Sequence, residues 1–371
     1  MGILHVRRGS ELNDPRPTIL VTGISGTLGR RLLPFLSDFH VVGVDLSPVP
    51  EGAHPVVHPL NVGHESSCVQ LVRLLRESGA EAVVHLAFVN DQPPGAPDQG
   101  RMWQVNVAGT ARVMEAIAEV NRHGGNVRKF IYPSSVSVYG PETPPLVDED
   151  APLRAHTLRH AVQKVETEGV VLFRASSMGN CSTYILRPPI FAGASVENYL
   201  VNAMRGRAYG NGKLATRLKQ KQKRLPLLLP YGESYPKKLL QFVHVDDMAR
   251  LIAWLLQKPA PKETNVVVLN VAGTGAPISI AECTEVAKAR IVKLPTRWLC
   301  AKVMALAWRW GVTSVPPDAF AYMCGSSTMN TKRLRNLLGG DFDKVIRYST
   351  EAAFHDSLAE SQDSSVARSV D

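Results

Sequence analysis

The amino-acid sequence predicts a doubly wound α/β fold, a parallel sheet with helices on both faces, followed by a smaller C-terminal lobe. Three observations lead there. Short apolar runs alternate with amphipathic stretches through the first half of the chain, the pattern of successive βαβ units. A glycine-punctuated segment separates the first apolar run from the first amphipathic stretch, where a strand-to-helix turn belongs. After Arg187-Pro188-Pro189 the alternation loosens, because proline cannot continue a helix and forces its predecessor toward extended backbone.

Taken in order, Thr18–Thr22 reads as a buried strand, 27–36 as a helix and His40–Asp45 as the second strand. Residues 66–78 repeat apolar side chains at helical spacing, and 81–87 return as a strand. A long helix over 101–121, a strand at Lys129–Pro133, a helix over 157–173 and a strand at 183–186 follow. Beyond the prolines, 241–245 and 265–271 read as strands with a helix over 247–256 between them, and 296–310 is amphipathic to apolar. The first sixteen residues read as a flexible leader, and the polar, serine-rich chain over 351–371 as a disordered tail. The expected organisation is a nucleotide-binding domain over 17–188 with return segments near 241–275. A substrate lobe comes from 189–240 and 276–345.

The chain has 371 residues, 44% hydrophobic and 20% charged, ordinary for a globular enzyme with a large core. Its net charge of +9 suits anionic ligands or a membrane surface without selecting either. Five cysteines, none in a CxxC pair, argue against a disulfide framework and fit a reducing, cytoplasmic setting. No apolar run approaches the length that spans a bilayer.

The strongest local signal is TILVTGISGTLGRRLL. Gly23 permits the tight turn, Gly26 lets the backbone approach a pyrophosphate, and Gly29 lets helix and strand pack closely. The following helix points unpaired N–H groups at phosphate. Asp45 ends the second strand, where a carboxylate meets the adenosine ribose. It accepts from the ribose hydroxyls and repels a 2′-phosphate, which favours NAD. Arg30 and Arg31 are the counter-argument, since either could hold that phosphate.

The motifs continue in a specific order. The loop residues Gly23, Ser25, Gly26, Thr27, Leu28 and Gly29 are followed by Asn61-Val62, His85-Leu86-Ala87 and Asn106-Val107-Ala108-Gly109-Thr110. Tyr132 to Gly140 (YPSSVSVYG), Arg187-Pro188-Pro189 and Phe242 to Asp247 (FVHVDD) come next. Over roughly 17–345 the chain resembles an extended short-chain dehydrogenase/reductase of the NAD-dependent epimerase/dehydratase type, built on a Rossmann-type sheet. The resemblance implies that Asn61 and Val62 lie beside the adenine, and that Leu86 and Ala87 cover the cofactor. It also implies that Asn106 and Pro189 belong to the cofactor site, and that Ser135 is the catalytic serine.

The family's catalytic pair is a tyrosine and a lysine spaced Y-x-x-x-K on one helix. Here the matching segment is His160-Ala161-Val162-Gln163-Lys164, with Glu168 one turn on. The resemblance gives Lys164 the nicotinamide ribose as well as a catalytic part, and puts His160 in the tyrosine's place. Oxidising a carbinol carbon requires a proton to leave the oxygen. Histidine titrates near neutrality, and Lys164⁺ would favour its neutral base form. Imidazole is shorter than a phenol by roughly 2 Å, and misplacement by about 1 Å can cost on the order of a hundredfold in rate. Three readings follow: an active enzyme with His160 as base, an active enzyme using another acid/base such as Tyr139, Tyr199 or Tyr231 or a group of the substrate, or an NAD-binding regulatory or scaffold protein without turnover.

His156 and His160 have zinc-ligand spacing, but the segment lacks the metalloprotease glutamate, and Arg159 and Lys164 would repel a cation. A metal is therefore not expected. Ser135 lacks the G-x-S-x-G elbow of a hydrolase. Residues 205–224 carry eight Lys/Arg and no acid. They read as a lure for a phosphorylated substrate such as a nucleotide sugar, or as a mobile solvated loop. Joined to the apolar 225–229 and to Trp298, Trp308 and Trp310, they also read as a peripheral membrane contact, which would suit a hydroxysteroid or lipid substrate. Nucleic acid has no motif support, and a homodimer is compatible with the chain.

Overall fold

In the computed structural model, residues 16–49, 55–90, 99–194, 196–232, 234–259 and 265–359 are described. The strands are β1 (Thr18–Thr22), β2 (His40–Asp45), β3 (Val56–Pro59), β4 (Ala82–His85), β5 (Lys129–Pro133), β6 (Ser182–Arg187), β7 (Ile190–Ala192), β8 (Leu227–Pro230), β9 (Leu239–Leu240), β10 (Phe242–His244), β11 (Val266–Asn270), β12 (Ile278–Ser279) and β13 (Ile291–Leu294). Seven of them form one sheet in the order β11-β6-β5-β4-β1-β2-β3, with every pairing parallel. Three two-stranded sheets, β7 with β10, β8 with β13 and β9 with β12, lie outside it.

The helices are α1 (Thr27–Leu32), α2 (Ser67–Ser78), α3 (Gln99–Trp103), α4 (Gly109–Arg122), α5 (Arg159–Arg174), α6 (Tyr199–Met204), α7 (Lys213–Gln220), α8 (Val245–Gln257), α9 (Ile280–Val286), α10 (Arg297–Arg309), α11 (Phe320–Met323), α12 (Lys332–Leu338), α13 (Phe342–Val345) and α14 (Thr350–Leu358). Side chains of α1 and α8 pack on one sheet face with Ile19, Val21 and Val84. Those of α2 and α4 pack on the other with Leu20, Val83 and Phe130. Alternate residues of β1 thus serve opposite faces, the period-two geometry of a strand, and burial on both faces makes the strand continuously apolar. The chain leaves β1 toward β2 on one side and returns at β4 on the other. That is a topological switch point, where such sheets place their ligands.

Several expectations are corrected. The helix over 27–36 stops at Leu32 and tightens into a 3₁₀ turn over Leu33–Phe35, where Pro34 removes a backbone donor. The helix over 101–121 is interrupted by a π-helical turn, Gln104–Ala108. The basic stretch carries α7 and is not simply a solvated loop. Leu227 and Leu229 are buried in β8, whereas Trp298 and Trp310, the aromatic part of the membrane-docking reading, are 66% and 59% exposed. The tail expected from Glu351 begins as α14, with Phe354 buried and ring-packed 5.0 Å from Phe242. The leader lies outside the described residues except for Arg16, as does the tail past Ala359.

The FVHVDD segment explains how α14 is held. His244 caps α8 by accepting from the Asp246 N–H at Nδ1, and its Nε2–H donates to Asp356 of α14 at 2.9 Å. Its ring stacks on Tyr348 at 3.8 Å. Asp247 is fully buried and accepts from the backbone N–H groups of Arg347 and Tyr348. These conserve no surplus polar groups in the interior, as burial requires.

Candidate functional site at the sheet's switch point

Gly23 has φ +70°, and a Cβ there would meet the Ala87 nitrogen at 2.5 Å. The glycine therefore lets the first turn press against the chain leaving β4. Gly29 has a different reason: its Cβ would stand 2.3 Å from the Ile24 carbonyl oxygen. Gly26 is the least hindered of the three, with only the Gly23 oxygen near, at 3.2 Å. It caps α1 without any side-chain bond, which leaves first-turn N–H groups for a ligand. Thr27 is exposed there, while Leu28 turns its side chain onto the core and has only backbone to offer.

Asp45 stands beside this loop. Its carboxylate accepts from the Ser25 N–H at 2.9 Å and the Ser47 N–H at 3.1 Å, and the Ser25 hydroxyl donates to the Ser47 carbonyl at 2.6 Å. The carboxylate is thereby fixed at the end of β2 with lone pairs to spare. Arg31 is committed elsewhere: it donates to both oxygens of Asp246, at 2.7 and 2.8 Å. That removes it as a holder of a 2′-phosphate. Arg30 lies exposed on the helix.

Further along, Asn61 accepts from the Gly63 N–H at 3.0 Å, and Val62 is buried. Leu86 and Ala87 form the wall against Gly23, with the Ala87 N–H on the Thr22 hydroxyl. Asn106 is fully buried, donates to Val89 O and Gln163 Oε1 at 2.8 Å each, and accepts from the Val89 N–H at 2.7 Å. Held in the π-helical turn, it clasps the chain after β4 to α5.

Ser135, His160 and Pro189 all line one cavity of about 430 Å³. Thr157, at φ +60°, turns the chain into α5 and puts His160 in its first turn. Burial, then the Lys164 ammonium, lowers the His160 pKa to about 4, and its Nδ1 is buried without a hydrogen-bond partner among the described residues. Lys164 is buried one turn on. It donates to the Pro133 carbonyl at 2.7 Å, and its Nζ lies 3.6 Å from the Phe88 ring centroid. Burial brings it down to about 7, with Glu168 opposing. Ser135 Oγ accepts from both the N–H and the hydroxyl of Ser137, at 3.1 and 2.9 Å. Its own hydrogen is then free to donate elsewhere.

The three tyrosines considered as substitutes separate cleanly. Tyr139 is buried, donating to Asn270 at 2.7 Å and accepting from Arg187 at 2.8 Å. Tyr231 is 75% exposed. Tyr199 lines the same cavity as His160. His156 lies before α5 and tilts against Tyr322. Sequence reasoning missed Phe88 and Asn90, which shape the site around Lys164 and the cavity. The signal was present in HLAFVN, whose last three residues extend the recognised strand end.

An exposed glycine turn opening α1, a carboxylate fixed at the end of β2 and a buried lysine one turn from His160 fit a dinucleotide. The comparisons with known proteins agree with that fit. Of the curated relatives, UDP-glucose 4-epimerase of Azospirillum brasilense is 31% identical over 140 residues, 37% of this chain and 38% of that one. GDP-6-deoxy-D-mannose reductase of Pseudomonas aeruginosa is 28% identical over 159 residues, 42% and 46% of the two chains. The chain thus spans less than half the length of these relatives. Among solved structures, the Thermus thermophilus UDP-glucose 4-epimerase complex with NAD superposes with a TM-score of 0.64 at 18% identity, covering 92% of this chain and 97% of that one. MoeE5 in complex with UDP-glucuronic acid and NAD gives 0.63 at 20% identity, with 92% and 96% covered. At these identities the structures establish the fold. The family profile matches residues 19–272, from β1 past β11 and across every motif described above, and with it the chain belongs to the NAD dependent epimerase/dehydratase family.

Proposed function

We propose that this protein is an NAD-dependent epimerase, dehydratase or dehydrogenase acting at a hydroxyl-bearing carbon, with His160 in the proton-transfer position. The observation that carries the reading is the meeting of Ser135 and His160 in one cavity, with the Lys164 charge one turn from the imidazole. NAD, when bound, would supply the hydride acceptor; Gly26 and the first turn of α1 would hold its pyrophosphate, Asp45 its adenosine ribose and Lys164 its nicotinamide ribose. Ser135, its acceptor sites occupied by Ser137, donates to the reacting oxygen. His160, neutral near pH 7, takes the hydroxyl proton as the alcohol becomes a carbonyl.

The likeness to sugar-nucleotide enzymes supports a nucleotide sugar as substrate, and the cations lining a separate cavity at α7, including Arg205, Arg207 and Lys219, support a phosphorylated one. An apolar chamber beside the site favours a second reading, a hydroxysteroid or lipid alcohol. Five unpaired cysteines support a cytoplasmic setting; among the described residues no helix is long and apolar enough to cross a membrane. The test is purified protein assayed for bound NAD by mass spectrometry, then His160→Ala assayed for turnover with product analysis. Retained NAD binding with lost turnover is expected. Unchanged turnover refutes the role of His160.

A further inference from the structure

The cavity holding Ser135 and His160 does not end at the polar groups. Tyr199, Leu200, Tyr209 and Met323 line both it and a second chamber of about 310 Å³. That chamber lies between α6, β8, α10 and α11. Leu227, Leu229, Ile280, Met304, Val312 and Phe320 are among its walls, and among the described residues Arg207 is the one charged side chain lining it. Its size falls at the lower end of the range, about 300–1,000 Å³, that accommodates drug-sized ligands.

We propose that the substrate's non-reacting part is an apolar ring system or isoprenoid chain seated in this chamber, with its hydroxyl presented to Ser135 and His160. The proposal rests on the redox reading above and names its substrate class. Charge decides against a nucleotide there. A diphosphate taken into an apolar cavity loses its hydration, and with a single cation on the walls it recovers little of that loss. The cations that could compensate line the cavity at α7, which meets the chamber at Gly206, Arg207 and Tyr209 and the reacting site at Glu197 and Tyr209. A diphosphate would be held among those cations, outside the chamber's apolar walls, and reaching the reacting site from there would take it past a carboxylate. An apolar body meets the opposite situation, since each contact with Leu, Met and Phe removes apolar surface from water.

The balance of the reaction is unaltered: the alcohol carbon is oxidised to a carbonyl, the hydride passes to NAD⁺, and the hydroxyl proton goes to His160. The experiment measures binding of testosterone, farnesol and UDP-glucose to NAD-loaded protein by equilibrium dialysis, in the wild type and in Ala203→Phe and Ala307→Phe. Both alanines line the chamber and neither lines the Ser135–His160 cavity. Testosterone or farnesol is expected to bind the wild type and to weaken by about tenfold or more in the filled variants, with NAD binding unchanged. Two variants at separate helices guard against one failing to fold. Binding of UDP-glucose with neither apolar alcohol, or no probe at all, overturns the proposal. Apolar binding unaffected in both variants overturns it too, because the ligand then lies elsewhere. NAD binding is measured first on the protein alone. Its failure sinks the redox reading, and the chamber is then judged by the same dialysis without cofactor.

Discussion

Glu168 does not pair with Lys164, the residue one turn before it; its carboxylate is taken by Arg187, which donates to both oxygens at 3.0 and 2.6 Å. The pair is almost wholly buried, at 5% and 0% side-chain exposure. Arg187 also donates to the Tyr139 hydroxyl and the Glu149 carbonyl. One guanidinium thus ties β6, α5 and the turn after β5 together around the cavity. Lys164, left with a carbonyl and ring faces, drops to about 7 because burial outweighs the more distant attraction of Glu168.

Glu168→Gln tests this arrangement. Removing one charge of a buried pair leaves the other uncompensated and costs about 3–5 kcal/mol. A urea titration is expected to show that loss in stability with an unchanged slope. A loss below about 1 kcal/mol, the worth of an exposed pair, would contradict the burial.

Gly26 and Gly29 are expected to fail in different ways. Gly29→Ala puts a methyl group 2.3 Å from the Ile24 carbonyl, a backbone clash that forces α1 off β1. It lowers the melting temperature with or without NAD. Gly26→Ala meets only the Gly23 carbonyl oxygen, at 3.2 Å, a tight contact relieved by a shift of a few tenths of an ångström; it should fold, but its methyl group enters the turn assigned to the pyrophosphate, so NAD affinity falls. Melting temperature and NAD titration on both variants separate the two, and identical behaviour would contradict the assignment.

Asp45 is expected to set the choice of nucleotide. Asp45→Asn keeps an acceptor for one of the two loop N–H groups, which bond different carboxylate oxygens, while removing the charge that repels a 2′-phosphate. NAD affinity should weaken and NADP affinity improve, shifting their ratio by about tenfold, or 1.4 kcal/mol. Arg31 contributes nothing to NADP binding while it is held by Asp246, so Arg31→Ala should leave that ratio unchanged.

The sheet was legible because its strands are apolar runs of four to six residues between helices of clear period, and β1, β2 and β5 coincide with their expected bounds. β3 escaped notice. Its four residues at the sheet edge are half-buried to exposed, so periodicity had little to mark. α14 was hidden by polar composition, although Ser349 caps it, a start signal available in the sequence. Motif order brought Ser135 and His160 to one cavity. It did not reveal the bonds from Arg31 to Asp246 or from Arg187 to Glu168, which span 215 and 19 residues. The apolar chamber was equally hidden, since segments far apart in the chain build it. Such long-range partners are set by packing, and local pattern does not encode them.

His160 and Lys164 make the last prediction a question of sign. Burial and the neighbouring ammonium both oppose protonation of His160 and hold it at about 4. Lys164→Met deletes the second cause and leaves the first. The imidazole pKa, followed by NMR titration of its ring protons, should therefore rise from about 4 without reaching the unperturbed value of about 6.5. The same depression governs stability. His85, buried and at about 3, and His160 are both neutral in the folded chain above pH 6.5. As pH falls from about 6.5 toward their folded values, the unfolded chain takes up protons that the folded chain refuses, so stability declines with acid. His160→Gln removes one of these proton acceptors. Its melting temperature should fall less steeply with acid across that window than the wild type's. A curve parallel to the wild type would mean that His160 is protonated as readily in the folded protein as in solution, and that the cavity does not keep it in its base form.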